Sequence, residues 1–223
     1  MKTERYILKD FKVDFTFSEV LKKAGTSEPD DIELLKTYFD EAKQMARPKA
    51  IYKVCYVDEI TPDGAVIDGI AFASRRMVKN LKDIHRVFAY VMTCGMELEP
   101  WAKSDSDFVL SFWKDEIKEL VLRAAMPQFY AHIKSKYRIE KISSMNPGSG
   151  NADVWPIAQQ TQLFQLIGGV TEDIGVELAD SMLMEPNKSV SGIMFPSDSG
   201  YVNCAVCQRE SCQNRRAPYD ASL

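Results

Sequence analysis

Residues 85–95, HRVFAYVMTCG, are apolar at nearly every successive position. An extended chain turns successive side chains to opposite faces, so this run reads as a central strand buried on both faces. The segments around it fall into place on local signals. Residues 50–60, AIYKVCYVDEI, read as a strand; Pro62-Asp63-Gly64 supplies a turn into a second strand, AVIDGIAF, which makes a hairpin. Ser18 is expected to cap a short helix, EVLKKAG, with Gly25 just past its end. Ser27 and Pro29 open a longer helix, in which Ile32, Leu35, Tyr38, Phe39, Ala42 and Met45 recur at helical spacing, and Pro48 stops it. Ser74 starts a short helix toward Leu81.

A long helical pattern runs from about Asp107 to Lys136, with Phe108, Leu110, Phe112, Ile117, Leu120, Val121, Ala124 and Ala125 on its apolar face. Pro127 is expected to kink or restart it. Residues 143–153, SSMNPGSGNAD, form a loop, and Asp153 is placed to cap a helix from Pro156 to Leu166. VELADSML, SVSGIMF and YVNCAV then read as short strands separated by turns. Helices at both ends of the pattern, with consecutive strands and no βαβ alternation, give an α+β fold with antiparallel strands.

Composition narrows the function classes. At 223 residues the chain can bury a core without covalent staples. Lys+Arg 28 against Asp+Glu 32 gives a net charge of −4, which argues against bulk nucleic-acid binding. No apolar run reaches the length of a membrane helix, and MKTERYILKD lacks the apolar region of a signal peptide; a cytoplasmic protein is the expectation. Five cysteines without a secretion signal argue against a disulfide framework.

Three of those cysteines crowd the end of the chain as Cys204-x2-Cys207-x4-Cys212. Such spacing lets three thiolates converge on one ion or cluster, and bound metal would lower their pKa values. Either an iron–sulfur cluster or zinc fits this donor set, with a fourth ligand from Cys94, Cys55, His85 or His132. Arg209, Arg215 and Arg216 would offset the thiolate charge or dock an acidic partner. Other signals are weaker. Asp83-x-His85 matches only the start of the Asp-x-His-x-x-Gly loop of corrinoid-binding domains, because Phe88 stands at the glycine position; His85 reads as an ordinary strand-end residue. His132 has no ligand partner at helical spacing. Asp30-Asp31 and Asp115-Glu116 read as solvated helix faces. Nucleophile-elbow, P-loop, dinucleotide and zincin motifs are absent.

The last third carries a more specific order of motifs. NPGSG (146–150), Trp155-Pro156, QQTQLFQLIG, Met184-Glu185-Pro186, Ser189-Val190-Ser191-Gly192 and Tyr201 follow one another in a pattern that resembles the activation domain of vitamin B12 (cobalamin)-dependent methionine synthase. EVLKKAG, PKAIYKV and TCGMELE agree more loosely in the first half. The resemblance implies a C-shaped α+β domain over residues 1–203, followed by a cysteine-rich tail over 204–223. It implies a role in reductive reactivation within corrinoid-dependent methyl transfer, with a separate corrinoid-binding protein or methionine synthase modules as partner. Corrinoid would be met only through that partner. It also implies a ligand cleft at Asn146, Pro147, Gly148, Trp155 and Tyr201; the metal or iron–sulfur site read from the spacing of Cys204, Cys207 and Cys212 is an addition to the family pattern. The family binds S-adenosylmethionine through an Arg-x-x-x-Gly-Tyr element. Aligned on Pro147-Gly148, the arginine and tyrosine positions hold Ser144 and Ser149, so the cationic fork and the aromatic platform are both missing.

Overall fold

The structure is a computed structural model and describes residues 4–149, 154–198, 200–209, 211–212 and 215–220. Its centre is an antiparallel sheet. Strand β1 (Arg5–Leu8) pairs with the first half of β2 (Lys49–Thr61). Strands β3 (Gly64–Ile67) and β4 (Ile70–Ala73) continue from the second half of β2. On the opposite side of β2 come β5 (Arg86–Thr93), β9 (Ser189–Pro196) and β6 (Ile142–Met145). The expected hairpin is present, but AVIDGIAF is two strands, not one. Asp68 at φ 44° and Gly69 at φ 77° turn the chain between them.

The central position expected of residues 85–95 holds. On β5, Phe88, Tyr90 and Met92 face one layer, while Val87, Ala89 and Val91 face the other. The first layer contains helices α1 (Phe17–Ala24), α2 (Pro29–Met45), α4 (Leu98–Ala102) and α5 (Phe108–Tyr137). The second contains α3 (Arg75–Leu81), α6 (Gln160–Ile167) and α7 (Val170–Ile174), together with Trp155. Two short strands, β7 (Glu177–Leu178) and β8 (Met184–Glu185), pair with each other apart from the main sheet. No described helix is long and apolar enough to cross a membrane.

Local chemistry fixes most element ends. Thr16, not Ser18, caps α1: its hydroxyl accepts from the Glu19 amide, and Glu19 returns a bond to the Thr16 amide at 2.8 Å. The cap lies two residues earlier than expected because Glu19 stands three residues after Thr16 and completes a reciprocal box, whereas Leu21 stands three residues after Ser18. Thr16→Ala is therefore expected to lower stability by about 1 kcal/mol, read as a shift in urea midpoint at constant slope. Gly25 ends α1 at φ 70°, as expected. Helix α5 runs unbroken through Pro127. The carbonyl that loses its partner belongs to exposed Arg123, and Gln128 donates from its side chain to the Ala124 carbonyl one residue on. Within VELADSML only Glu177–Leu178 is extended, because Met182 at φ 64° turns the chain. YVNCAV is not a strand: residues Asn203–Val206 form a 3-10 turn. Asp153 and Gly150 lie outside the described residues.

Candidate functional site

The segment after β6 is organised by Asn146. Its Nδ2 donates to the Tyr90 hydroxyl at 2.9 Å and to the Ser191 carbonyl at 2.7 Å. Its Oδ1 accepts from Asn203 Nδ2 at 2.6 Å. One side chain thus ties the Pro147-Gly148 loop to β5, β9 and the start of the tail. Gly148 turns at φ 73°, donates its amide to the Trp155 carbonyl at 2.8 Å, and lies against Ile157. Pro147 is half-buried and Gly148 exposed, so the loop's outer edge meets solvent.

The Ser-Val-Ser-Gly run has a packing role. A Cβ on Gly192 would stand 2.2 Å from the Met145 carbonyl oxygen and 2.7 Å from Asn146 Nδ2. The Ser191 hydroxyl donates to Gln160 Oε1, whose amide nitrogen donates to the Met182 carbonyl at 2.8 Å. Glycine and small hydroxyl residues at these positions let β6, β9 and α6 approach closely.

Two expected cleft residues are differently placed. Trp155 is fully buried, edge-on to Phe72 with ring centroids 5.8 Å apart. It is core and presents no surface to a ligand, which corrects its reading as a cofactor contact. Tyr201 is also buried in that layer, with the Arg76 guanidinium 5.8 Å from its ring centre. Burial pushes its hydroxyl up to about 12, partly opposed by Arg76. Tyr201 borders a basic cleft that Asn146, Pro147 and Gly148 do not line. Around these residues several buried polar atoms lack a hydrogen-bond partner among the described residues: Ser143 Oγ, Trp155 Nε1, the Tyr201 hydroxyl and Asn203 Oδ1. Buried polar atoms of this kind call for a partner, and these four belong to the layer that holds Trp155 and Tyr201 or to the segments beside it.

Arg215 organises the tail. Its guanidinium donates to the carbonyls of Cys204 at 2.9 Å, Cys207 at 2.8 Å, Arg209 at 2.7 Å and Ala217 at 3.0 Å. The Arg216 amide donates to Cys204 Sγ at 3.4 Å. Burial raises the Cys204 pKa, but the hydrogen bonds from Arg216 and its positive charge outweigh that, and the thiol sits below its ordinary value. Cys204 therefore ionises first among the thiols for which burial or charge sets a direction, since burial pushes Cys55 and Cys94 up to about 12. Peptide-resolved iodoacetamide labelling across pH 6–10 is expected to show Cys204 reacting at lower pH than an ordinary thiol, with Cys55 and Cys94 unlabelled throughout.

The donor types in the tail suit iron–sulfur or zinc binding. Among the described residues, however, no three potential ligands converge as a metal site, so binding requires the tail to rearrange. The four residues considered for a fourth ligand are set in the sheet, in helix α5 or at a strand end. Cys94 lies in the α5 layer, whereas Val206 of the tail packs in the other. Cys55 is a buried residue of β2, opposite Val87 of β5, His132 shares a 3.3 Å hydrogen bond with Tyr52, and His85 is exposed just before β5. Ser144 is a strand residue whose Oγ accepts from the Tyr130 hydroxyl at 2.9 Å, so it supplies no cation where the family has arginine.

One polar assembly escaped sequence reasoning. Lys114 and Lys118 are buried on α5. Lys118 Nζ meets Glu99 at 2.5 Å and Asn187 at 2.7 Å; Lys114 Nζ meets Asp105 at 2.6 Å and the Trp101 carbonyl at 2.8 Å. Asp115 and Glu116 are not solvated ornaments either: Asp115 pairs with Lys188 at 2.8 Å and Glu116 with Lys23 at 2.6 Å. The interleaving of these lysines with apolar Trp113 and Ile117 was the available signal.

Comparison with known proteins meets this geometry in the same region. Residues 131–217 match the family described as vitamin B12 dependent methionine synthase, activation domain. A crystal structure of the MetH reactivation domain bound to AdoHcy superposes with a TM-score of 0.59 at 12% identity, covering 90% of this chain and 81% of that one. No curated protein sequence matches the chain.

Proposed function

We infer that this chain, which resembles the activation domain of vitamin B12-dependent methionine synthase in sequence over residues 131–217 and in fold over most of its length, is an accessory protein for corrinoid-dependent methyl transfer. The family match carries the reading, because it falls on the segment that joins the Asn146 network to the tail. The task is reductive reactivation of a corrinoid held by a separate protein or by methionine synthase modules. The exposed edge of the Pro147-Gly148 loop is the face offered to that partner. Asn146 positions the loop, and Tyr201 and Asn203 couple it to the tail.

Cys204, Cys207 and Cys212 are proposed to hold an iron–sulfur centre, with zinc as the competing occupant. An iron–sulfur centre supplies one-electron chemistry, whereas zinc carries no electron and would only stiffen the docking tail. The chain's own contribution is visible: Arg215 gathers the carbonyls around the cysteines, and Arg216 stabilises negative charge on Cys204. Purification without oxygen, followed by iron, sulfide and zinc analysis, tests the site. Matching iron and sulfide that disappear in the Cys204→Ser, Cys207→Ser, Cys212→Ser variant support it; stoichiometric zinc selects the structural role, and absence of metal refutes both.

A second reading is favoured by the solved relative, which is bound to AdoHcy: an S-adenosylmethionine-binding reactivation subunit. Ser144 and Ser149 oppose it. Calorimetric titration with S-adenosylmethionine distinguishes the two, since micromolar binding would establish the second.

A further inference from the structure

At the end of the sheet where β6 begins and β9 stops, a cleft of about 990 Å³ opens between α3, the C-terminal end of α5 and the tail. Six cations, Arg76, Lys79, Lys82, Arg86, Arg138 and Lys141, line it against three carboxylates, Asp83, Glu140 and Asp198. The whole chain carries −4, so this concave surface inverts the sign of the molecule. Among the described residues, Lys82, Arg86, Arg138 and Lys141 form no ion pair. We propose that this cleft binds a small phosphate-bearing molecule of nucleotide size.

Two guanidiniums are held by aromatic rings. Arg86 lies 5.5 Å from the ring centre of Phe88 and 5.3 Å from that of Tyr137, and Arg76 lies over Tyr201. Contact with a ring orients the guanidinium of Arg86 while leaving its in-plane donors able to grip an oxyanion. Tyr201 forms part of the cleft wall and backs the Arg76 guanidinium. Arg138 adds an independent mark. It ends α5 at φ 54° and ψ 48°, where glycine is unstrained and arginine is not. Complementing the helix dipole does not require it, because Lys134 and Lys136 already occupy the last turn. The residue at this strained position lines the cleft. The volume matches the upper range of small-molecule sites, about 300–1000 Å³, and a concave site with three guanidiniums suits a compact oxyanion better than an extended acidic peptide.

The proposal does not rest on the corrinoid role. Inorganic pyrophosphate is the probe, titrated calorimetrically at about 50 mM and about 200 mM salt. One saturable site is expected, weakened at the higher salt and about tenfold weaker in Arg86→Gln and Arg138→Gly. Arg138→Gly relieves the left-handed backbone, so its thermal midpoint is expected to hold or rise while binding falls; a purely structural arginine would give the reverse. Arg123→Gln, which breaks an exposed pair with Glu119, serves as the control and should bind normally. Absence of binding at millimolar pyrophosphate, or equal binding by all variants, overturns the proposal. Binding of poly-glutamate without binding of pyrophosphate also overturns it, in favour of an acidic polypeptide.

Discussion

Replacing Lys118 with alanine is expected to lower the unfolding free energy by about 3–5 kcal/mol, a large share of the roughly 5–15 kcal/mol typical of a domain. Lys118 is 1% exposed and its ammonium is held by Glu99, by Asn187 and, at 3.5 Å, by Asp115. Removing it leaves the buried Glu99 carboxylate, among the described residues, facing only Lys103 at 3.6 Å, and takes from Asn187 Oδ1 its lysine donor. The cost arises from the orphaned charge more than from a lost attraction. Lys118→Met together with Glu99→Leu should consequently recover most of the loss. Urea unfolding of Lys118→Met, Glu99→Leu and the double variant closes the cycle. A double variant as unstable as the sum of the singles would show that the pair is not the source.

Gly192→Ala is expected to cost about 2–4 kcal/mol, although it adds a single methyl group. The methyl would overlap the Met145 carbonyl oxygen, which is backbone and cannot turn aside, and would press on Asn146 Nδ2. Asn146 must then surrender its bonds to Tyr90 and Ser191, and with them its hold on Asn203. The variant is therefore expected to loosen the tail as well as the sheet. A lowered urea midpoint, with faster proteolysis near residue 203, checks both effects; a midpoint within about 0.5 kcal/mol of the parent would show that β6 and β9 are less tightly apposed.

These two sites show where sequence reasoning succeeds and where it fails. The two-sided apolar character of β5 and the hairpin turn at Pro62-Asp63, just before Gly64, are local, so they are visible in one dimension. The role of Gly192 as a point of close approach follows from its missing side chain, although its neighbours Met145 and Asn146 emerge only from strand pairing. Lys118 is opaque in the sequence. Its partners lie 19 and 69 residues away, and a lysine beside carboxylates on a helix ordinarily reads as solvated. YVNCAV reads as a strand from its β-branched and aromatic residues, but Asn203 opens a 3-10 turn and is anchored by its side chain to Asn146. Trp155 shows the converse failure: a motif position carried over from a family resemblance is filled here by a core residue.

The tail adds a different lesson. Cysteine spacing announces a donor set, but its readiness is set by Arg215 and Arg216, whose hydrogen bonds to Cys204, Cys207 and Arg209 are three-dimensional facts. Thiol ionisation at Cys204 is thus coupled to the order of a segment that also borders the basic cleft through Ala205 and Ala217.

Anaerobic mixing of the pre-reduced protein with a corrinoid-binding module of methionine synthase, poised as cob(II)alamin, tests the reactivation role most directly. The paramagnetic cob(II)alamin signal is followed by electron paramagnetic resonance in the presence of methyl iodide, which traps the reduced corrinoid as its methyl derivative with loss of iodide. Loss of the signal, one electron per corrinoid, that requires Cys204, Cys207 and Cys212 is the predicted result. A signal that persists as it does without the protein, or that decays equally with the cysteine variants, would contradict it.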